Sequence, residues 1–439
     1  MEARPTKILI TSENQVQIGN DGFFHLTYCT KVHPGSGWGE LFQNLQALVP
    51  RLKARLAPER PFGLGLRLSN AESRELLAED HLARFQEFLA QHNLYVFTLN
   101  GFPYGNLTGQ PVKEEIFAPD WQTAPRLDYT LRLVDILARL LPAGAEGGIS
   151  TVPLSYKPWI RADAEALAQI TANLVRLTAR LIRVEEETGR LIHLDLEPEP
   201  DGVLECSREV VEFFQTWLLA RGAPQLARAT GLSEAEARRL LLRHLRVCLD
   251  TCHLAVAYED PAAALATLAQ SGIQVGKVQI TAGLKVTVPA NGRRAALARQ
   301  LEPFTHSPYL HQVIAREDGN RSRRFPDLWQ ALALLDRCPP GQWRIHYHMP
   351  LFVERCGSLG TTGAETREVL RILCEQRFCP HLEIETYTWE WLPADLKLEL
   401  LDSLTAEYRW VLEAMGEESG QPSAVGFQPK PNIGVEDRM

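Results

Sequence analysis

The chain is short of cysteine: 439 residues hold eight, Cys29, Cys206, Cys248, Cys252, Cys338, Cys356, Cys374 and Cys379, and none form CxxC. The closer pairs, Cys248 with Cys252 and Cys374 with Cys379, lack a partner pair at zinc-site spacing, so the thiols read as reduced, packed small hydrophobes. No apolar run reaches the ~18 residues of a membrane span. The N-terminal stretch MEARPTKILITSENQ has no apolar signal-peptide core followed by a small-residue cleavage site. A cytoplasmic protein is expected. Basic charge is also scarce, with 46 Lys+Arg against 54 Asp+Glu and a net charge of −8. That balance argues against a nucleic-acid partner, which needs a basic face. No GxGxxG turn follows the first strand candidate, which weakens a dinucleotide-binding reading.

What is present is a mixture of 45% hydrophobic and 23% charged residues, enough for one large core. Strand-like runs at 26–30, 62–68, 94–100, 148–152, 191–197, 246–250, 275–281 and 382–385 alternate with amphipathic stretches. The helical stretches cover 38–56, 71–92, 126–142, 163–188, 206–222, 261–270, 326–337, 363–377 and 393–414. Such alternation implies parallel βαβ units, and eight of them imply a (β/α)8 TIM barrel rather than an open sheet. The barrel is expected over 24–414 as one domain. Residues 1–23 read as an N-terminal hairpin extension around Gly19-Asn20-Asp21-Gly22, and 415–439, rich in Gly, Pro and Ser, as a flexible tail. Residues 283–351 form a long insertion near the seventh βα unit, with strand-like runs at 309–315 and 344–348. An extra helix is expected at 228–244, with Ser233 as N-cap and Glu236 closing a capping box.

Strand parity points to chemistry. In LIHLDLE, Ile192, Leu194 and Leu196 suit the helix layer, so His193, Asp195 and Glu197 share the inner face. The same alternation puts Asp250 at the end of the sixth strand. Lys277, Gln279 and Thr281 face inward on the seventh, and Glu383 and Glu385 on the eighth. One inward carboxylate reads as a structural ion pair, but three strands ending in carboxylates at one rim favour a shared divalent cation. His253 stands three residues after Asp250, and RIHYHMP adds His346 and His348 on one face of an extended segment. Imidazoles with carboxylates suit Zn²⁺, Mn²⁺ or Fe²⁺ better than Ca²⁺. Asn100 and Tyr104 in LNGFPYGN, His33 in KVHPG, and Arg67 are candidates for substrate contact. Each has a structural alternative in a tight turn, a packed aromatic or an ion pair. His311 in YLHQV has no position that pattern alone fixes.

The element VCLDTCH resembles the sixth-strand Asp-x-x-His of the xylose-isomerase-like barrel superfamily. More widely, LTYCTKVHPGSGW, PFGLGLRLSN, TLNGFPYGN, HLDLEPEPDGVLE, CLDTCHLAVAYE, YLHQVIAR and LEIETYTWEWLP resemble the metabolite traffic protein EboE family. The resemblance implies a divalent metal (Mn, Zn, Mg or Fe) held by Glu197, Asp250, His253 and Glu385. At the seventh-strand position, where such enzymes commonly carry histidine, stands Gln279, with His348 as the substitute imidazole. The leading reading is an isomerase or epimerase acting on a small metabolite, with Glu197 and Glu385 as catalytic carboxylates and His33, Arg67, Asn100, Tyr104 and His346 as candidate substrate contacts. Partner proteins of a metabolite-export pathway are implied too. The competing readings are a non-catalytic escort that holds the metabolite, and an endonuclease IV-like phosphodiester hydrolase, against which the acidic balance and Gln279 count.

Overall fold

A computed structural model describes residues 17–18, 23–105, 113–160, 163–290, 292–317 and 321–416. Eight parallel strands follow in chain order: β1 (Phe24–Tyr28), β2 (Phe62–Arg67), β3 (Leu94–Asn100), β4 (Gly147–Thr151), β5 (Ile192–Leu196), β6 (Leu245–Asp250), β7 (Val275–Ile280) and β8 (His381–Ile384). From β2 to β8 each strand pairs with its neighbour in sequence, and β8 returns to pair with β1. Between β1 and β2 the seam is a single parallel bridge, Cys29 to Gly65. Side chains sew the rest of it. Thr27 Oγ1 donates to the Gly63 carbonyl at 3.0 Å and accepts from the Gly65 amide at 2.6 Å, while Thr30 Oγ1 accepts from the Arg67 amide at 2.8 Å. The fold is a (β/α)8 barrel.

The crossovers form helices because their apolar residues recur with helical period. Trp38–Leu56 buries Trp38, Leu41, Leu45, Val49, Leu52 and Leu56 on one stripe against the sheet. The stretch expected as one helix over 71–92 is two, Asn70–Leu76 and His81–Gln91. They break where Glu79 takes a positive φ of 48°, which a continuous helix cannot hold. The stretch from 206 runs further than expected: Ser207–Phe213 widens to π-helical geometry over Phe214–Gly222 and continues as Ala223–Thr230. Helix Glu234–His244 begins at Ser233, whose hydroxyl accepts from the Glu236 amide at 3.2 Å. The reciprocal half of that capping box is absent, because the Glu236 carboxylate turns to Arg239 at 2.5 Å. A complete box forms instead at Ser69 and Glu72.

After β7 the chain builds a second, antiparallel sheet. Its strands run in the order Ser322–Phe325, Val313–Glu317, Gly341–Ile345, Leu284–Val288, Leu359–Thr361 and Arg355–Cys356. The excursion therefore reaches Thr361, ten residues beyond the expected 351. It also carries its own apolar cluster, including Val286, Phe304, Val313, Trp343, Ile345 and Tyr347. Among the described residues, Phe352 packs against both this cluster and that of the barrel, and a small third cluster joins Cys252 and Val256 to Ile314. Of the expected N-terminal hairpin, Gln17–Ile18 pairs antiparallel with Phe24 and His25, and the remainder of the segment before Phe23 lies outside the described residues, as does the tail after Gly416.

Candidate metal centre at the barrel mouth

The strand ends deliver Glu197, Asp250 and Glu385 to one rim, all buried. Asp250 Oδ1 is fully engaged, accepting from the Cys252 and His253 amides at 2.7 and 3.0 Å and from Thr281 Oγ1 at 2.6 Å. Its Oδ2 is buried without a hydrogen-bond partner and lies 3.8 Å from His348 Nε2. Glu197 Oε2 is likewise unpartnered. Glu385 Oε1 accepts from Asn100 Nδ2 at 2.9 Å.

The second sheet supplies imidazoles. Strand Gly341–Ile345 leaves its ladder and turns His346 and His348 over the mouth. The ring partners fix the tautomers. His253 Nδ1 lies 3.0 Å from the Pro198 carbonyl, and His348 Nδ1 lies 2.7 Å from the Glu385 carbonyl. His346 Nδ1 lies 2.8 Å from Gln312 Oε1, an oxygen assigned because the amide nitrogen donates to the Pro200 carbonyl at 3.0 Å. All three partners only accept, so each Nδ1 carries the proton and each Nε2 presents a lone pair. His253 and His346 set these lone pairs 2.9 Å apart, and a ligand atom of His348 lies within 4.8 Å of both.

Lone pairs so opposed need a cation between them. Burial holds the His253 pKa down to about 3 and those of His346 and His348 well below the usual imidazole range, so protonation does not supply it. The carboxylates make the same demand. Burial, then repulsion from Glu385 and Asp250, lifts Glu197, while burial lifts Asp250 and Glu385 to about 7. A divalent ion fits this donor set of three neutral nitrogens and an unpartnered carboxylate oxygen, held by proton-donating outer bonds of the kind that orient metal-bound histidines.

Sequence reasoning passed over several residues here. Lys31 sits at the mouth with Nζ 4.2 Å from the Tyr387 ring centroid and 4.9 Å from that of Tyr309. Burial lowers its pKa against the pull of Glu385. Glu199, Gln312, Tyr309 and Tyr387 line the same cavity with Asn100, Glu197, His253, His346, His348 and Glu385. The signal for Glu199 was its i+2 spacing from Glu197.

Other candidates stand elsewhere. His33 is tied by Nε2 to the Tyr28 hydroxyl at 2.9 Å. The Arg67 guanidinium bridges Glu72 and the Pro103 and Gly105 carbonyls. Tyr104 packs edge-on to Tyr129 at 5.1 Å. None of the three lines the cavity. Gln279 lies inside the barrel with Oε1 receiving the Cys248 thiol at 3.0 Å and Nε2 unpartnered. His346, expected to touch substrate, lines the cavity and has its Nε2 within the imidazole group.

Fold and site together define a (β/α)8 barrel with an imidazole and carboxylate cluster at its C-terminal mouth. No family model and no curated protein matches the chain. Among solved structures it is similar to a xylose isomerase-like TIM barrel protein from Mycobacterium smegmatis in complex with magnesium, at 11% identity and a TM-score of 0.45, over 87% of this chain and 90% of that one. It is similar to the IOLI protein with a bound zinc atom at 12% identity and 0.44, over 89% and 97%. A third is 3-keto-D-glucoside 4-epimerase, YcjR, from E. coli, at 15% identity and 0.33, over 72% and 100%.

Proposed function

We propose that the mouth binds a divalent transition metal through His253, His346, His348 and Asp250, and that the barrel isomerises or epimerises a small polyhydroxylated or carbonyl metabolite. The observation that carries this reading is a set of three buried imidazoles, each with Nδ1 held by an acceptor, in which His253 and His346 oppose their Nε2 atoms at 2.9 Å and His348 Nε2 lies 3.8 Å from the unpartnered Asp250 Oδ2. Bound there, the ion would polarise a substrate oxygen and stabilise negative charge developing on it. Glu197, whose Oε2 is unpartnered, takes the proton α to the carbonyl, and Glu385, steadied by Asn100, is the second carboxylate able to return one. The Lys31 ammonium faces the cavity between two tyrosine rings and orients an anionic or carbonyl oxygen. The resemblance to the EboE family extends the reading: the metabolite is a precursor destined for export, handled together with partner proteins.

Asp250→Asn is the cleanest probe. The amide oxygen keeps the three bonds made by Oδ1, while the nitrogen replaces the unpartnered oxygen, so metal affinity falls by tenfold or more with the fold intact. His348→Gln gives the same result. Metal content of protein purified without chelator, with melting curves with and without chelator, checks both. If chelator leaves the wild type unchanged and both variants keep its metal content, the metal reading fails and the escort reading replaces it.

A further inference from the structure

We propose that the opposite, N-terminal end of the barrel carries a second divalent-metal site, formed by His193, His381 and Glu146. Glu146 immediately precedes β4, His193 is the second residue of β5 and His381 the first of β8, so all three stand at strand starts, the full length of the barrel from the mouth. A ligand atom of each lies within 4.8 Å of the other two. Both imidazoles are sealed from solvent, at 0% and 1% exposure, and each has a buried ring nitrogen, Nε2 of His193 and Nδ1 of His381, with no hydrogen-bond partner.

The surroundings are built for an ion. His193 Nδ1 is 2.6 Å from Asp195 Oδ1, the carboxylate–histidine pairing that orients a metal-bound imidazole and raises its basicity. Space for that pair is cut out of two neighbouring strands. A Cβ on Gly148 would stand 2.4 Å from Asp195 Oδ2, and one on Gly276 would stand 2.0 Å from Asp195 Oδ1. Asp195 itself is fully buried, and its Oδ2 has no hydrogen-bond partner. The nearby Lys277 is committed to Glu383 and Ser150. The two rings stack at 5.7 Å, yet the free nitrogens make no hydrogen bond to each other. An ion bonded to each at about 2 Å joins them where a proton does not. Glu146 is 30% exposed and meets the Arg246 guanidinium through both oxygens at 3.3 and 3.5 Å, long contacts that an ion would compete with for one oxygen, and it leaves the site a path to solvent. Two imidazoles, a carboxylate and one open position suit Zn²⁺ or Co²⁺.

The test counts ions on the full chain. Protein stripped by chelator is titrated with Zn²⁺ or Co²⁺ and its metal content measured after desalting, for the wild type and for a mouth variant, His346→Gln with His348→Gln. The mouth variant is expected to retain one ion per chain. Adding Glu146→Gln weakens that ion by tenfold or more, and adding His381→Gln abolishes it. Because Glu146 is partly exposed, its variant keeps the test alive if His381→Gln does not fold, as judged by circular dichroism. A mouth variant that binds no ion, or one whose ion ignores both floor substitutions, overturns the proposal. A wild type and a mouth variant that each bind one ion support the floor site while refuting the metal at the mouth, so the two proposals fail separately.

Discussion

At the scale of single residues, the barrel interior is held by charged groups whose partners are countable. Lys277 Nζ meets Glu383 Oε2 at 2.5 Å and Ser150 Oγ at 2.8 Å, with both charged side chains fully buried. Burial pulls the lysine pKa down, but the Glu383 carboxylate, with Cys248 and Glu197 behind it, pulls the other way and the net shift is upward. Lys277→Met strands a buried carboxylate whose other oxygen already lacks a partner, and is expected to cost about 3–5 kcal/mol. Adding Glu383→Gln recovers part of the loss by removing the unpaired charge, a non-additivity that urea unfolding of the two variants reads directly. Glu407 is a separate case. It is buried on the last helix, accepts from Thr386 Oγ1 and the Leu351 amide, and burial lifts its pKa from 4.5 to about 7. An acid with a raised folded pKa holds its proton in the native state after the unfolded chain has lost it. Its stabilising contribution is therefore complete below about pH 4.5 and lost as pH rises to about 7, by a few kcal/mol. Glu407→Gln keeps an acceptor for Thr386 and should flatten that segment of the stability–pH profile relative to wild type. Parallel slopes for the two proteins would refute the assignment.

Among elements, legibility followed periodicity and burial. β3 falls on 94–100, and helices Trp38–Leu56 and Pro261–Gln270 fall on 38–56 and 261–270, because each bears an uninterrupted pattern on a face that the core must cover. The inward parity that placed Glu197, Asp250 and Glu385 was readable for the same reason: period-two alternation in a closed barrel has only one inside. The second sheet was half visible. Ser322–Phe325 (SRRF) exposes its first three residues and Arg355–Cys356 is two residues long, so neither carries an apolar alternation to detect. Lys31 escaped because it stands on the turn Thr30–Val32 after β1, where no period operates. For His346, the i+2 spacing announced a shared face with His348, but not that β-sheet packing elsewhere would swing that face onto His253.

For the whole molecule, the mouth is a joint. One imidazole, His253, rises from the barrel on the short helix Thr251–Val256 after β6, while His346 and His348 arrive from the second sheet. Arg344 fastens that sheet's exit strand, donating to the Ala255 carbonyl at 2.6 Å, pairing with Glu365 at 2.8 Å and stacking over Tyr258 at 4.1 Å. An ion held by all three imidazoles would therefore tie the two larger apolar clusters, which otherwise meet at Phe352 and through the small cluster of Cys252, Val256 and Ile314. Removing it should loosen the junction and not the barrel. At a free-ion concentration a hundred times Kd the linkage is worth about 2.7 kcal/mol, enough to move the melting midpoint by a few degrees in a chain of this size. Hydrogen exchange locates the effect. With chelator, amides of 284–288, 341–349 and 251–256 should exchange faster, while those of β2 and β3 hold their protection. In the variant His346→Gln with His348→Gln these segments should exchange at the chelator-treated rate whether or not metal is supplied. An increase spread evenly over the barrel, or one that survives in that variant, would mean that the ion does not join the two units.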